Sequence, residues 1–554
     1  MDADVVIVGA GAGGAACAWA LARRGVRVLL LESGPWYDAA RENRLHLPDW
    51  EQHAFPEGKE YSHGYTFAPL QQLSPQWSPL RSWNHHLGRL AGDRRRALKY
   101  QHVRAVGGST LHFIGEAHRL NPAAMRMASR FGVAADWPIT YDELEPHYVA
   151  AEYLVGVAGP PHDRHRPRSR AYPLPPHAHS HASQKIGSAC ARLGMSWSAN
   201  PLAILSEPWH GRPGCNYCGQ CARGCPRGDK GSVDITFVAQ AQASGRCTVL
   251  AGCHVTAIVP GNADRVASLS WVDAAGAEHS LQPRVVVLAC GAVLTPRLLL
   301  ASANSRAPQG LANESGQVGR HFMETLVWAS SALHPEALGS HRGVPSDGIC
   351  WDFNAPDAVP GTPGGVRFSV AMAEMDLVGP VNYARRVAGG WGHAHRAAMR
   401  NSFGRVLSVG SIGEFLPNDG SYIDLDPGAR DAQGQPLARI HSRLDEPDLR
   451  RLAFMAGKCR EILHAAGSEQ PFEEFGTYDT FNATHVFGTC RMGVDARHSV
   501  VDRNCRSHRW RNLFIVDASV FPSSGGGESP SLTIEALAIR AAAHIRDRLA
   551  AREL

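Results

Sequence analysis

Unbroken apolar runs, each opening into a glycine-rich turn and then an apolar helical stretch, mark both ends of this chain. Asp4-Val-Val-Ile-Val-Gly9 holds four consecutive β-branched residues. A run without polar alternation predicts a strand buried on both faces, as in a parallel sheet. The Ala-rich stretch Ala15 to Arg24 favours helix, Gly25 stops it, and Val26 to Leu31 is a second apolar strand. Val249 to Val259 and Arg284-Val-Val-Val-Leu-Ala-Cys290 are strand-like; the latter runs into a turn, Gly291 to Pro296, and a helical stretch, Arg297 to Ala301. Near the C-terminus Asn512-Leu-Phe-Ile-Val-Asp517 predicts another buried strand, Gly525-Gly526-Gly527 a tight turn, and Leu532 to Leu549 a helix. Thr140 ahead of the acidic turn Tyr141 to Glu145 predicts a capped helix running to Tyr153. Residues 320–480 carry mixed strand patterns without a repeat, which suits an antiparallel sheet. Two segments lack periodicity: Trp36 to Lys99, long enough to cover something, and the Pro- and Arg-rich linker Pro160 to Pro176.

The 554 residues exceed one simple core. Hydrophobic content of 44% and charge of 19% are those of a globular protein. The net charge of +5 comes from scattered Arg without a basic block, which argues against a nucleic-acid partner. No apolar run reaches about 18 residues, so no membrane span is expected. The N-terminus lacks a basic leader and its apolar stretch is needed as a strand, so it does not read as a signal peptide. A cytoplasmic location is the expectation; periplasmic export in the folded state with a partner subunit is the alternative. Thirteen cysteines, an odd count, do not read as a disulfide framework.

Three motifs carry chemistry. Gly9-Ala-Gly11-Ala-Gly13-Gly14 lies between strand and helix with an acid, Glu32, about 20 residues on, the confirming context for a dinucleotide site. Gly9 permits the tight turn, Gly11 the approach of backbone to a pyrophosphate, and Gly14 close helix–strand packing. Glu32 can accept from a ribose, and the helix N-terminus attracts phosphate. Gly107-Gly108-Ser109-Thr110 allows a second close approach of backbone to ligand. Cys215, Cys218, Cys221 and Cys225, the last followed by Pro226, have the C-x2-C-x2-C-x3-C-P spacing of bacterial ferredoxins. That spacing points to an iron–sulfur cluster, with four-thiolate zinc or metal-free thiols as the other readings.

In this order the motifs resemble the glucose–methanol–choline family of flavin oxidoreductases, from end to end of the chain. Carrying the resemblance are Gly9 to Gly14 with Glu32, Val106 to Thr110, Trp137 to Glu145, Gly291 to Leu299 and Val318-Gly-Arg320. His485-Val-Phe-Gly-Thr-Cys-Arg-Met-Gly493, Asn512 to Pro522 and Pro530 to Ile534 complete it. The resemblance implies FAD, with Gly107, Gly108, Thr110, His112, Val255 and Asp517 joining the cofactor contacts. Family members with a histidine at the place of His112 attach FAD covalently in some cases and hold it non-covalently in others. His485 is implied as the base that takes the alcohol proton while flavin N5 takes the hydride. Asn or His usually stands before the C-terminal proline; here Ser529 does, able to hydrogen-bond the substrate oxygen but not to act as a base. Sugar dehydrogenases of the family that use a cytochrome partner carry a three-iron cluster at a comparable place, though with different cysteine spacing.

The expected fold is α/β, with a discontinuous Rossmann-type FAD-binding domain and a substrate domain on a mostly antiparallel sheet. The first comprises residues 1–35, 100–135, 186–319 and 495–554, with a cysteine-rich loop at 211–231; the second comprises 36–99, 136–185 and 320–494. The expected activity is oxidation of an alcohol or sugar hydroxyl to a carbonyl, electrons passing by way of an iron–sulfur cluster to an acceptor such as a cytochrome subunit. An oxygen-using oxidase and a flavin/iron–sulfur electron-transfer subunit are the alternatives.

Overall fold

A computed structural model of the chain describes residues 3–53, 55, 64–372, 375–483 and 485–554. Residues 54 and 56–63, in the irregular 36–99 segment, lie outside that set. Five parallel strands form one sheet, ordered Leu513–Ile515, Val285–Leu288, Val5–Val8, Val28–Leu31, Cys247–Leu250. The unbroken apolar runs stand here because both faces are covered; Val5 to Val8 are at most 6% exposed. The helix Ala12–Ala22 packs against the C-terminal helix Ser531–Ala550. The chain leaves Val5–Val8 toward one side of the sheet and returns much later on its other side. That reversal opens a crevice at the C-terminal end of the first strand, where Gly9 turns.

The second large sheet has eight strands, ordered Gly88–Arg89, Trp83–Asn84, Glu473–Gly476, Leu326–Leu333, Val406–Gly413, Val366–Val370, Gly348–Cys350, Ser198–Ala199. All its pairings are antiparallel. The helix Glu446–Ala465 packs on its central strands. Ala329, Gly410 and Ser369 lie opposite one another across three strands and line a cavity. Small side chains in that row leave the space open. One continuous apolar cluster joins residues of both sheets.

Two local expectations are corrected. Gly291 to Ala301 is helix throughout, Pro296 included. A proline inside a helix leaves the carbonyl four residues earlier without its donor; here Thr489 Oγ1 donates to the Ala292 carbonyl at 2.6 Å, filling that place. The stretch Val249 to Val259 splits into two strands of different sheets, Cys247–Leu250 and His254–Pro260. The helix expected from Thr140 is Tyr141–Val155, with Thr140 and Glu143 forming a reciprocal capping box.

Candidate active site

The parallel strands end at a cavity of about 780 Å³ that extends to the row of small residues on the antiparallel sheet. Of the residues singled out from sequence, Gly9, Gly11, Glu32, Gly108, Thr110, His112, Val255, Asp517, His485 and Ser529 all line it. Gly14 and Gly107 stand behind its wall. A Cβ on Gly14 would sit 1.8 Å from the Gly9 carbonyl oxygen, so only glycine lets helix and strand meet. A Cβ on Gly11 would meet nothing within 4 Å. Gly11 also gives the helix Ala12–Ala22 no side-chain cap, leaving first-turn N–H groups facing the cavity wall for an anionic ligand. This cradle fits a dinucleotide.

Glu32 is tied at both oxygens: Oε2 accepts from Ala10 N and Oε1 from Gly34 N, each at 2.9 Å. Burial pushes its pKa up against those two N–H bonds. Asp517 Oδ2 accepts from Gly291 N at 2.9 Å and Thr295 Oγ1 at 2.6 Å, holding the start of the helix Gly291–Ala301. Thr110 Oγ1 donates to the Gly107 carbonyl at 2.6 Å and accepts from Val233 N at 3.0 Å, which pins the double-glycine turn.

His485 leads a segment zipped to the residues after Asp517, through Gly488 N to Ala518 O (3.1 Å), Cys490 N to Ser519 O (2.7 Å) and Met492 N to Val520 O (2.8 Å). Thr325 Oγ1 donates to the His485 carbonyl at 2.9 Å. The imidazole makes no hydrogen bond to a described side chain. Burial lowers its pKa to about 4; the Glu116 carboxylate opposes that shift and the Arg367 guanidinium adds to it. The ring is therefore neutral at physiological pH, able to accept a proton.

Around Ser529 lies a polar network absent from the sequence reading. Ser529 Oγ donates to Glu116 Oε2 at 2.7 Å and Ser529 N donates to His118 Nδ1 at 3.1 Å. Arg367 pairs with the same Glu116 oxygen, and Asn200 Nδ2 donates to the other at 3.0 Å. Burial would raise the Glu116 pKa, but Arg367, His118 and the hydrogen bonds from Ser529 and Asn200 bring it down to about 2. Glu116 and Arg367 are 251 residues apart, and neither belongs to a motif, so no local signal could have found them.

A second buried carboxylate nearby, Glu414, faces Glu528 and Arg451. Burial pushes its pKa up to about 7; Arg451 pulls down and the Glu528 charge pushes up. Since this value exceeds that of the unfolded carboxyl, its contribution to stability is complete at low pH and is lost as pH rises from about 4.5 through 7, about 3 kcal/mol in all. Glu414→Gln is therefore expected to flatten the fall in the urea unfolding midpoint between pH 5 and 8, and to be the more stable protein at pH 8. Parallel curves for the two proteins would refute this.

The four cysteines of the loop stand in unlike surroundings. Cys218 is exposed, Cys221 buried, and Cys215 and Cys225 intermediate. Among the described residues no three or more His, Cys, Asp or Glu side chains are placed to hold a metal ion. Burial pushes the Cys215 thiol up to about 12 and raises Cys221 and Cys225 as well. Cys225 Sγ donates to Asp229 Oδ1 at 3.0 Å, and Cys215 Sγ accepts from Tyr217 N at 3.3 Å. The loop does reach the cavity, through Ala222 and Arg223. Lys230, fully buried, clamps it there by donating to the carbonyls of Leu111 (3.0 Å), Phe113 (2.9 Å) and Cys221 (2.8 Å), on either side of His112.

A dinucleotide cradle opening onto a neutral imidazole and a buried ionised carboxylate defines a dinucleotide-dependent oxidoreductase. The family description GMC oxidoreductase matches residues 174–327 and 417–538, and an NAD(P)-binding Rossmann-like domain matches 7–60. The chain belongs to the GMC oxidoreductase family, whose members bind FAD. It is 28% identical to 2-methyl-1,2-propanediol dehydrogenase of Mycolicibacterium austroafricanum, over 98% of this chain and 95% of that protein. It is 29% identical to the fructose dehydrogenase large subunit of Gluconobacter japonicus, over 98% of this chain and 97% of that one. The solved pyridoxine 4-oxidase of Mesorbium loti shares the fold, with a TM-score of 0.64 at 19% identity and 99% of each chain covered.

Proposed function

We propose that this chain is a dehydrogenase oxidising a primary or secondary alcohol, sugar hydroxyls included, with His485 as the base. The observation that carries this reading is the neutral imidazole of His485 in the cavity that the dinucleotide cradle also lines. Bound FAD supplies the hydride acceptor. The helix N-terminus after Gly11, the Gly107–Thr110 turn, Val255 and Asp517 hold the cofactor, and Glu32 shapes its ribose end. His485 receives the hydroxyl proton. Ser529 contacts substrate on the same wall.

Anaerobic addition of a panel of alcohols and sugars to the FAD-loaded protein tests the reading. Bleaching of the flavin absorbance is expected with at least one; bleaching by dithionite alone would overturn it. For the electrons' exit, the cysteine loop supports an external acceptor: it borders the cavity at Ala222 and Arg223 and turns Tyr217 and Cys218 to the surface. Faster turnover with an artificial acceptor or cytochrome than with oxygen is the expected result, and hydrogen peroxide as the main product would favour an oxidase. Iron analysis of anaerobically purified protein tests the loop for a cluster. Flavin remaining with acid-precipitated protein would show covalent attachment, and its loss in His112→Ala would assign the bond to His112.

A further inference from the structure

Ser529 offers the cavity a hydroxyl whose hydrogen is already committed. Glu116 Oε2 takes that hydrogen at 2.7 Å. Held ionised by Arg367, Glu116 can only accept, so the direction of the bond is fixed. The geometry around Glu116 reinforces this: Asn200 Nδ2 occupies its other oxygen at 3.0 Å, and Ser369 Oγ and Gly527 O take two further Arg367 N–H groups. Ser529 therefore faces the cavity with lone pairs alone. Donating to the substrate oxygen, as the sequence suggested, would break its bond to a buried carboxylate. Relaying the alcohol proton to Glu116 would place it on a carboxylate paired with Arg367, a poorer base than His485. His485 and Ser529 are thus both among the acceptors that line the cavity. One reacting hydroxyl satisfies one of them.

We propose that Ser529, oriented by Glu116, is an acceptor subsite for a second substrate hydroxyl, and that the enzyme selects vicinal diols and polyols over mono-alcohols. This rests on the alcohol-oxidation reading above. Glu116 is the positioning residue: without its carboxylate the Ser529 hydroxyl rotates freely and the distinction between donor and acceptor is lost.

The test compares 1,2-propanediol with 1-propanol on the FAD-loaded enzyme with an artificial acceptor. Wild type is expected to favour the diol in kcat/KM by about tenfold or more, roughly the worth of one hydrogen bond in a buried site. Ser529→Ala should shrink that ratio about fivefold, chiefly through the KM of the diol, and Ser529→Thr, which keeps the hydroxyl, should restore it. At equilibrium hydroxyacetone should perturb the visible spectrum of the wild-type enzyme at lower concentration than acetone does, and the gap should close in Ser529→Ala. Equal kcat/KM for the two alcohols, or a ratio unmoved by Ser529→Ala, would overturn this inference while leaving alcohol oxidation intact. Failure to oxidise either alcohol or any polyol would sink the underlying reading, and this inference with it.

Discussion

His485→Ala is expected to slow alcohol-dependent flavin bleaching by about 10²–10⁴-fold, the usual worth of a positioned general base. FAD content should be unchanged, because the segment carrying His485 is held by backbone bonds to Ala518, Ser519 and Val520 that do not involve the imidazole. The pH profile adds an independent signature. A base acts only when unprotonated, so activity is present above its pKa and lost below. With burial and Arg367 lowering His485 to about 4, kcat/KM should stay level from pH 6 to 8 and decline only as pH falls toward 4. An unperturbed histidine would begin to fail near 6.5. Stopped-flow reduction of wild type and variant across this range gives both readouts. A variant rate within threefold of wild type would remove His485 from the chemistry.

The parts of this protein visible in its sequence are those built from consecutive residues. The unbroken run Val5 to Val8 announced a doubly covered strand, the glycines after it a phosphate turn, and Thr140 with Glu143 a helix start; each depends on neighbours a few positions away. Gly291 to Pro296 was misread as a turn because a glycine and a proline suggest breaking a helix. What keeps it helical is Thr489, some 190 residues on, supplying the donor that Pro296 lacks. The same distance effect hid Glu116 and Arg367, which meet only after both sheets are assembled around one cavity. The cysteine spacing, conversely, was local and legible yet says nothing of where each sulfur points. Asp229 and the backbone N–H of Tyr217 engage two of the four. Spacing identifies residues capable of acting together; the direction each side chain takes in the folded loop is not written in it.

That distinction can be tested within the glycine turn itself, where Gly14→Ala and Gly11→Ala should fail in different ways. The Cβ added at Gly14 would lie 1.8 Å from the Gly9 oxygen and 3.2 Å from the Ala289 Cβ. The nearer atom is backbone at the end of the central strand, so relief requires helix and strand to separate; overpacking of this kind costs about 1–3 kcal/mol. Gly14→Ala is expected to lower the unfolding midpoint of the cofactor-free protein and to abolish FAD retention. At Gly11 the added methyl meets no protein atom within 4 Å. The cofactor-free Gly11→Ala protein should therefore unfold like wild type while binding FAD at least about tenfold more weakly, because the methyl occupies the space that the phosphates approach. Unfolding curves without FAD and fluorescence titrations with it separate the two effects. If both variants unfold early, Gly11 serves the fold and the phosphate-approach role falls; if both bind FAD normally, the cradle at this turn is not the cofactor site.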